Sequence, residues 1–283
     1  YFPLVGGAEV AISEITKRLP EYEYAMLTAR LDRRLPLRER IDAVDIHRIG
    51  FGFWGDKFLL PILGCARALR LHRERPFTLL WAMMASQAGV AAACFRALRP
   101  ELPLILTLQE GDEEAHLARY HLFGVAFHRW VIRSADSVTA ISEYLRDRAE
   151  SAGAEGRVEV VPNGVDIAKF KMKNEKGKIE KKEKVVITAS RLVEKNGICD
   201  LVNALQYLPE DVHLEVWGDG PERSALEVQA AKYHGRVFFG GAYENDNLPK
   251  YLAEADVFAR PSLSEGQGIS FIEAMAVGIP VVA

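Results

Sequence analysis

Short apolar runs alternate along the chain with stretches whose apolar positions recur every three to four residues. The runs at residues 24–29, 44–49, 77–81, 104–108, 137–141 and 158–161 read as strands. A second set follows at 185–189, 213–217, 237–240, 257–260 and 280–283. Helical periodicity fills the intervals at 8–19, 58–72, 87–98 and 143–151, then at 199–208, 222–233, 248–253 and 270–277. Strands alternating with helices predict parallel sheets covered on both faces. Continuous apolar strands such as Leu104–Leu108 agree, because both of their faces are buried. The fold class is therefore α/β, with two doubly wound, Rossmann-like parallel-sheet domains. Between the two sets, residues 171–184 are almost devoid of apolar side chains, and the interspersed Glu residues mark a solvated loop rather than a nucleic-acid patch. Domains are expected at 1–166 and 185–283, joined by a charged linker over 167–184. They should face each other across a cleft between the C-terminal edges of their sheets, where ligands bind in such folds.

Composition narrows this picture. The 283 residues are 49% hydrophobic and 27% charged, with a formal net charge of −3. That is a globular composition of about two domains, large enough to bury a core without disulfides. Cys65, Cys94 and Cys199 lie far apart without metal-ligand spacing, which fits reduced, buried thiols in a cytoplasmic protein. The seven histidines form no HExxH or Cys/His cluster, so neither a metal nor another cofactor is expected. Mild acidity argues against a nucleic-acid partner. No apolar run approaches the roughly 18–20 residues of a membrane span. The start lacks the charged and apolar regions of a signal peptide. Tyr1 opens in a loop and residues 278–283 stop inside an apolar strand, so the chain is expected to be a fragment lacking the first strand and the C-terminal end.

The candidate chemistry concentrates between Pro261 and Ala276, where Glu265 and Glu273 flank the turn Gly266-Gln267-Gly268 that opens into a helix at Ile269 and Ser270. Free amides at such a turn and the positive end of the helix dipole can meet an anion. Glu273, with its Cβ tilted toward the helix start, can meet hydroxyls of the same ligand. Phosphate plus hydroxyls is the chemistry of a nucleotide sugar; the plainer alternative is a strand–loop–helix junction with solvated glutamates. Arg191 and Lys195 leave the end of another strand, where two cations suit a diphosphate as well as a surface pair with glutamate. Gly218 and Gly220 lie in a tight turn after a third strand, and Val161-Pro162-Asn163-Gly164-Val165-Asp166 closes the first set.

Together and in this order, these segments resemble the retaining glycosyltransferases of the GT-B fold, specifically glycosyltransferase family 4. The resemblance runs through Val-Pro-Asn-Gly-Val-Asp, Ser190-Arg191-Leu192-Val193-Glu194-Lys195, Gly218-Asp219-Gly220-Pro221 and Ala255-Asp256-Val257-Phe258. It continues through Pro261-Ser262, the two glutamates and Ala274-Met275-Ala276 to the final Pro-Val-Val-Ala. In the first half it rests on Gly6-Gly7-Ala8-Glu9, Thr107-Leu108, Ser134-Ala135-Asp136 and Ala140-Ile141-Ser142.

The resemblance implies that Arg191 and Lys195 bind the donor diphosphate and that Glu265 sits beside the donor sugar. It implies that amides of Gly266, Gln267, Gly268, Ile269 and Ser270 meet phosphates and sugar hydroxyls, with Gly218 nearby. Glu273 would hold the ribose, and Gly6 and Gly7 would close on the diphosphate. Where many family members carry His after the fourth first-domain strand, this chain reads Gln109-Glu110, either of which could contact the sugar or acceptor or simply shape the turn. Lys195 follows Arg191 by four residues where five is frequent, and Gln267 replaces a common aromatic. The implied activity is transfer of a hexose from a UDP- or GDP-sugar, without a metal, to a glycan or lipid-linked acceptor, as in polysaccharide or glycolipid synthesis. A nucleotide-sugar epimerase of the same architecture and a non-catalytic nucleotide-sugar-binding module are the alternatives. Phe53, Trp54 and the basic helix carrying Arg67, Arg70, Arg73 and Arg75 raise a peripheral contact with the inner membrane face, against a core-packed helix with a basic edge.

Overall fold

The computed structural model describes residues 6–109, 124–154, 158–171, 183–244 and 246–283. The chain divides into two compact units, Tyr1–Asn163 and Gly164–Ala283. The first opens with α1 (Gly7–Arg18), followed by strands β1 (Tyr24–Ala29), β2 (Arg38–Ile41) and β3 (Val44–Ile49). Helix α2 (Asp56–Leu59) passes through a π turn (Leu60–Gly64) into α3 (Cys65–Glu74). Then come β4 (Leu80–Met83), α4 (Gln87–Leu98), β5 (Leu104–Leu108), α5 (Gly124–Ser134), β6 (Ser137–Ala140), α6 (Glu143–Ser151) and β7 (Val158–Val160). The sheets run β1-β3-β2 and β4-β5-β6-β7. Leu104, Leu106 and Leu108 of β5 are buried among residues of α5 and α6, including Val131, Ile132 and Leu145. β1 and β4 both line an apolar cavity of about 540 Å³ that also meets α1 and α4.

The second unit comprises α7 (Ile167–Lys171), β8 (Lys184–Ala189), α8 (Ile198–Ala204), β9 (Val212–Trp217), α9 (Arg223–Ala230) and β10 (Val237–Gly241). It continues with α10 (Leu248–Glu254), β11 (Val257–Ala259), α11 (Ile269–Val277) and β12 (Val281–Val282). All its strands are parallel, in the order β10-β9-β8-β11-β12. Alternation along β8 splits the core. Ile187 and Ala189 join α7, α10 and α11 on one side, while Val186 packs with α8 and α9 on the other.

Five local features differ from the pattern-based reading. β2 pairs antiparallel with β3, because Asp42 at φ 51° makes a tight hairpin and the half-buried sequence Arg-Glu-Arg-Ile suits an edge. The strand expected at 77–81 starts at Leu80, since the Phe77 amide donates to His72 Nδ1 (2.9 Å) and its ring packs on Phe95. The helix expected at 58–72 is interrupted by the π turn that contains Pro61, which has no amide to donate. Where a charged linker was expected to begin, residues 167–171 form α7 and bury Phe170 in the second core. Of the three free thiols, Cys65 is buried but Cys199 is exposed, contrary to the burial expected for all three.

Candidate active site

The strands β9, β8 and β11 are parallel neighbours, so their connecting segments emerge at one sheet edge. After β8 comes the Ser190–Gly197 segment, after β9 the Gly218–Gly220 turn, and after β11 the loop from Arg260 to Gly268. Leu192 N donates to Asp219 O (3.0 Å), and Leu263 N donates to Lys195 O (2.8 Å). Two glycines allow this closeness. Gly218 has φ +131°, and a Cβ there would lie 1.8 Å from Ser190 O. Gly197 has φ +66°, and a Cβ would lie 2.0 Å from Pro261 O.

Within that edge the cations occupy different settings. The Arg191 side chain is exposed, while its carbonyl accepts from Asn196 Nδ2 (2.6 Å) inside the loop. Lys195 is half-buried. On the third loop, Gly268 adopts φ +68° and starts α11 with no side-chain cap, leaving the amides that open the helix uncovered by a side-chain oxygen. Gly266 and Gly268 are buried, whereas Gln267 and Ile269 are half-buried. Glu265 Oε1 accepts from Arg260 Nη2 (2.5 Å) and from Ser262 Oγ (3.4 Å). Ser270 Oγ accepts from Arg260 Nη1 (2.9 Å).

Glu273 lies one turn further along α11 and is buried. Burial pushes its carboxyl up to about 7, with Lys169 and Arg260 pulling the other way. Beside it, burial and the Glu273 charge raise the Tyr243 hydroxyl above its usual range. Thus Arg191, Lys195, Gly218 and the residues from Glu265 to Glu273 share one edge of the second unit. Arg260, Lys169 and Tyr243 were not singled out from sequence. Arg260 was legible as a charge closing the apolar strand Val257–Ala259, and Lys169 was hidden in the segment read as linker.

Gly6, Gly7 and Gln109 belong to the first unit. The Gly6 amide donates to Glu9 Oε2 (2.9 Å) at the start of α1, and a Cβ on Gly7 would meet nothing within 4 Å. Gln109, just after β5, exchanges amide hydrogen bonds with Asn163 (3.1 and 3.4 Å). Glu110 lies outside the described residues. Elsewhere in this unit, Phe51, Phe53 and Trp54 are exposed on a loop anchored by buried Asp56, whose Oδ2 accepts from Gly52 N (2.6 Å) and Phe53 N (3.2 Å). Lys57 Nζ stands 3.7 Å from the Trp54 ring centroid. Several basic residues of α3 are engaged, Arg67 with His47, and Arg70 with Glu74. Among the described residues, no group of three His, Cys, Asp or Glu side chains is placed to hold a metal.

Residues 5–169 match the family described as Glycosyltransferase Family 4, and residues 169–283 match Glycosyl transferases group 1. The chain belongs to glycosyltransferase family 4. It is 27% identical to an alpha-monoglucosyldiacylglycerol synthase of Streptococcus pneumoniae, covering 100% of this chain and 69% of that protein. It is 32% identical to a GDP-mannose-dependent monoacylated alpha-(1-6)-phosphatidylinositol monomannoside mannosyltransferase of Corynebacterium glutamicum, over 81% of this chain and 65% of the relative. It spans 52% of a further relative, the TuaC teichuronic acid glycosyltransferase of Bacillus subtilis, assigned there as putative. Among solved structures, a sucrose-phosphate synthase of Thermosynechococcus elongatus superposes with a TM-score of 0.83 at 20% identity, covering 98% of this chain and 75% of that one. The Anabaena HepE complex with UDP and glucose superposes with a TM-score of 0.75 at 24% identity, over 98% and 77%. These likenesses establish the GT-B fold for the family 4 chain described here.

Proposed function

We propose that this family 4 chain belongs to a retaining glycosyltransferase that moves a hexose from a UDP- or GDP-sugar to a hydroxyl of a glycan or lipid-linked acceptor. The observation that carries this reading is the convergence of the β8, β9 and β11 loops at one edge of a parallel sheet. That edge offers Arg191 and Lys195 for a diphosphate, uncapped amides at the start of α11 for phosphate oxygens, and Glu265 and Glu273 for hydroxyls. The difficult step is departure of the diphosphate from an oxocarbenium-like anomeric centre. Fixed cations and amides stabilise the departing charge without reorganising, so electrostatic preorganisation is the main catalytic term. In this reading the protein's own cations supply that charge and no metal is required. The names of two relatives carry lipid acceptors, a diacylglycerol and a phosphatidylinositol mannoside, which favours a lipid-linked acceptor in this chain's pathway. The exposed Phe51, Phe53 and Trp54 loop with Lys57 suits a peripheral contact with the bilayer that would hold such an acceptor.

The test is incubation of the full-length protein with labelled UDP- and GDP-sugars and lipid extracts, with and without EDTA. Acceptor-dependent transfer with retained anomeric configuration, unaffected by EDTA, is the expected result. Isomerised sugar would indicate an epimerase, and binding without turnover a non-catalytic module; either outcome would overturn the proposal.

A further inference from the structure

Arg260 is a buried cation that touches both ends of the Glu265–Ser270 turn. It follows β11 directly and precedes Pro261, and its side chain is only 7% exposed. Nη2 donates to Glu265 Oε1 (2.5 Å) at the start of the turn, and Nη1 donates to Ser270 Oγ (2.9 Å) in the first turn of α11. The guanidinium carbon lies 4.4 Å from the centroid of the Phe271 ring. Gly268 makes this stack fit, because a Cβ there would lie 2.3 Å from the Phe271 ring and 2.9 Å from Arg260 Nη2. The backbone of Arg260 is itself fixed to the sheet, its amide donating to Val282 O (3.0 Å). One residue therefore ties the sheet, through its backbone, to the glycine turn and the helix start, through its side chain.

Stability alone gives a poor reason for an arginine here. A buried cation carries a desolvation penalty that one ion pair seldom recovers in full, and an apolar side chain of similar volume is often as stable. Its guanidinium already lies against an apolar ring, Phe271, which itself packs edge-to-face on the buried Phe258. Burial lowers the Arg260 pKa, while Glu265, Tyr243 and Glu273 act to keep the proton on. In addition, Arg260 Nε is buried without a hydrogen-bond partner. Such a cost is typical of a group held for geometry rather than for stability.

We propose that Arg260 is the positioning residue of the donor site, fastening the Glu265 carboxylate to the first turn of α11 so that the turn is shaped before a donor arrives. Its functional half rests on the reading of Glu265 as the donor-sugar residue. Glu265 is then not free to swing, because its Oε1 is held by Arg260 and Ser262. The planar fork is needed because Lys has a single donor group and cannot span Glu265 and Ser270 in this geometry.

The experiment uses the full-length protein with Arg260→Met, Arg260→Lys, Glu265→Gln and the Met/Gln double variant. Amide hydrogen exchange reads the turn, and donor kinetics read its use. Arg260→Met should speed exchange at residues 266–271 by about tenfold while β8 and β9 keep wild-type protection. It should lower kcat by about 100-fold with donor KM changed by less than about threefold, as expected for a misplaced group. Arg260→Lys, which keeps the charge and is the milder test of folding, should recover only part of that loss. Adding Arg260→Met to Glu265→Gln should cost less than about threefold more, because both act through one carboxylate. Wild-type exchange at the turn in Arg260→Met, or losses that multiply in the double variant, would overturn the proposal. If the wild-type protein turns over no nucleotide sugar, the transferase reading falls, and the exchange result alone decides whether Arg260 shapes the turn.

Discussion

Glu273 is the residue whose protonation the fold disturbs most usefully. Its ordinary pKa of 4.5 is lifted to about 7 by burial, so the folded chain holds a proton there that the unfolded chain has already lost. This group's contribution to stability is full below about pH 4.5 and is lost as pH rises through about 7. Its ceiling is about 3 kcal/mol. Lys169, Arg260 and Tyr243 are the groups that face it. We predict that Glu273→Gln removes this slope, so the stability gap between variant and wild type, from urea unfolding, changes by up to that amount between pH 4.5 and 8. Parallel pH profiles would contradict the burial argument. The glycines separate fold from ligand in a similar way. Gly218→Ala drives a Cβ into Ser190 O and should destabilise the protein by about 2–4 kcal/mol in the same assay. Gly7→Ala meets only open space, so its stability should stay within about 0.5 kcal/mol of wild type. A stability loss there comparable to that of Gly218→Ala would mean the first-unit loop serves the fold.

At the scale of elements, the β4-β5-β6-β7 sheet and the sheet of the second unit share a device that the Ala-Asp segments of the sequence concealed. Asp136, just before β6, accepts from Leu104 N (2.8 Å) at the start of β5 and from the Arg96 fork (3.1 and 2.9 Å) of α4. Asp256, just before β11, accepts from Val185 N (3.0 Å) near the start of β8. Both carboxylates fasten the beginning of the neighbouring parallel strand, and for Asp256 this is opposite the end of the second unit's sheet where the candidate site lies. Asp256→Ala leaves the Val185 amide without that acceptor and should cost about 1–3 kcal/mol, read by chemical denaturation, with donor affinity unchanged. A loss of donor binding at unchanged stability would instead place Asp256 in the site.

These elements also mark how far the sequence could be read. The long apolar strands and the 3.6-period helices were legible, because each buries a continuous face and period alone identifies it. β2 was not, since its charged edge sequence has little apolar signal and its partner is set by the Asp42 turn. α7 was hidden because it is short, runs into a lysine-rich stretch, and buries Phe170 while Ile167 and Ala168 stay exposed. Arg191, Lys195 and Glu265 were legible as chemistry, whereas their assembly on neighbouring strands needed the sheet order. Arg260 left a trace as the charge that closes an apolar strand, Lys169 was masked by the segment read as linker, and the place of Tyr243 beside Glu273 is set by the fold and not by spacing.

At the scale of the whole molecule, each unit contributes a distinct surface to the account. The second unit carries the sheet edge proposed as the donor site, and the first carries the exposed aromatic loop at Phe51, Phe53 and Trp54. No helix among the described residues is long and apolar enough to cross a membrane. We predict that full-length protein floats with vesicles containing anionic lipid and that Trp54→Ala with Lys57→Ala abolishes flotation. Flotation unchanged by that double variant would assign membrane contact elsewhere. The central claim, that the second unit is a nucleotide-sugar donor site, is tested most directly by calorimetric titration of UDP- and GDP-sugars into the full-length protein. Saturable binding of one nucleotide class is expected, weakened by about 100-fold or more in the Arg191→Ala, Lys195→Ala double variant at unchanged stability. Binding of neither class by the wild type, or equal binding by wild type and double variant, would contradict it.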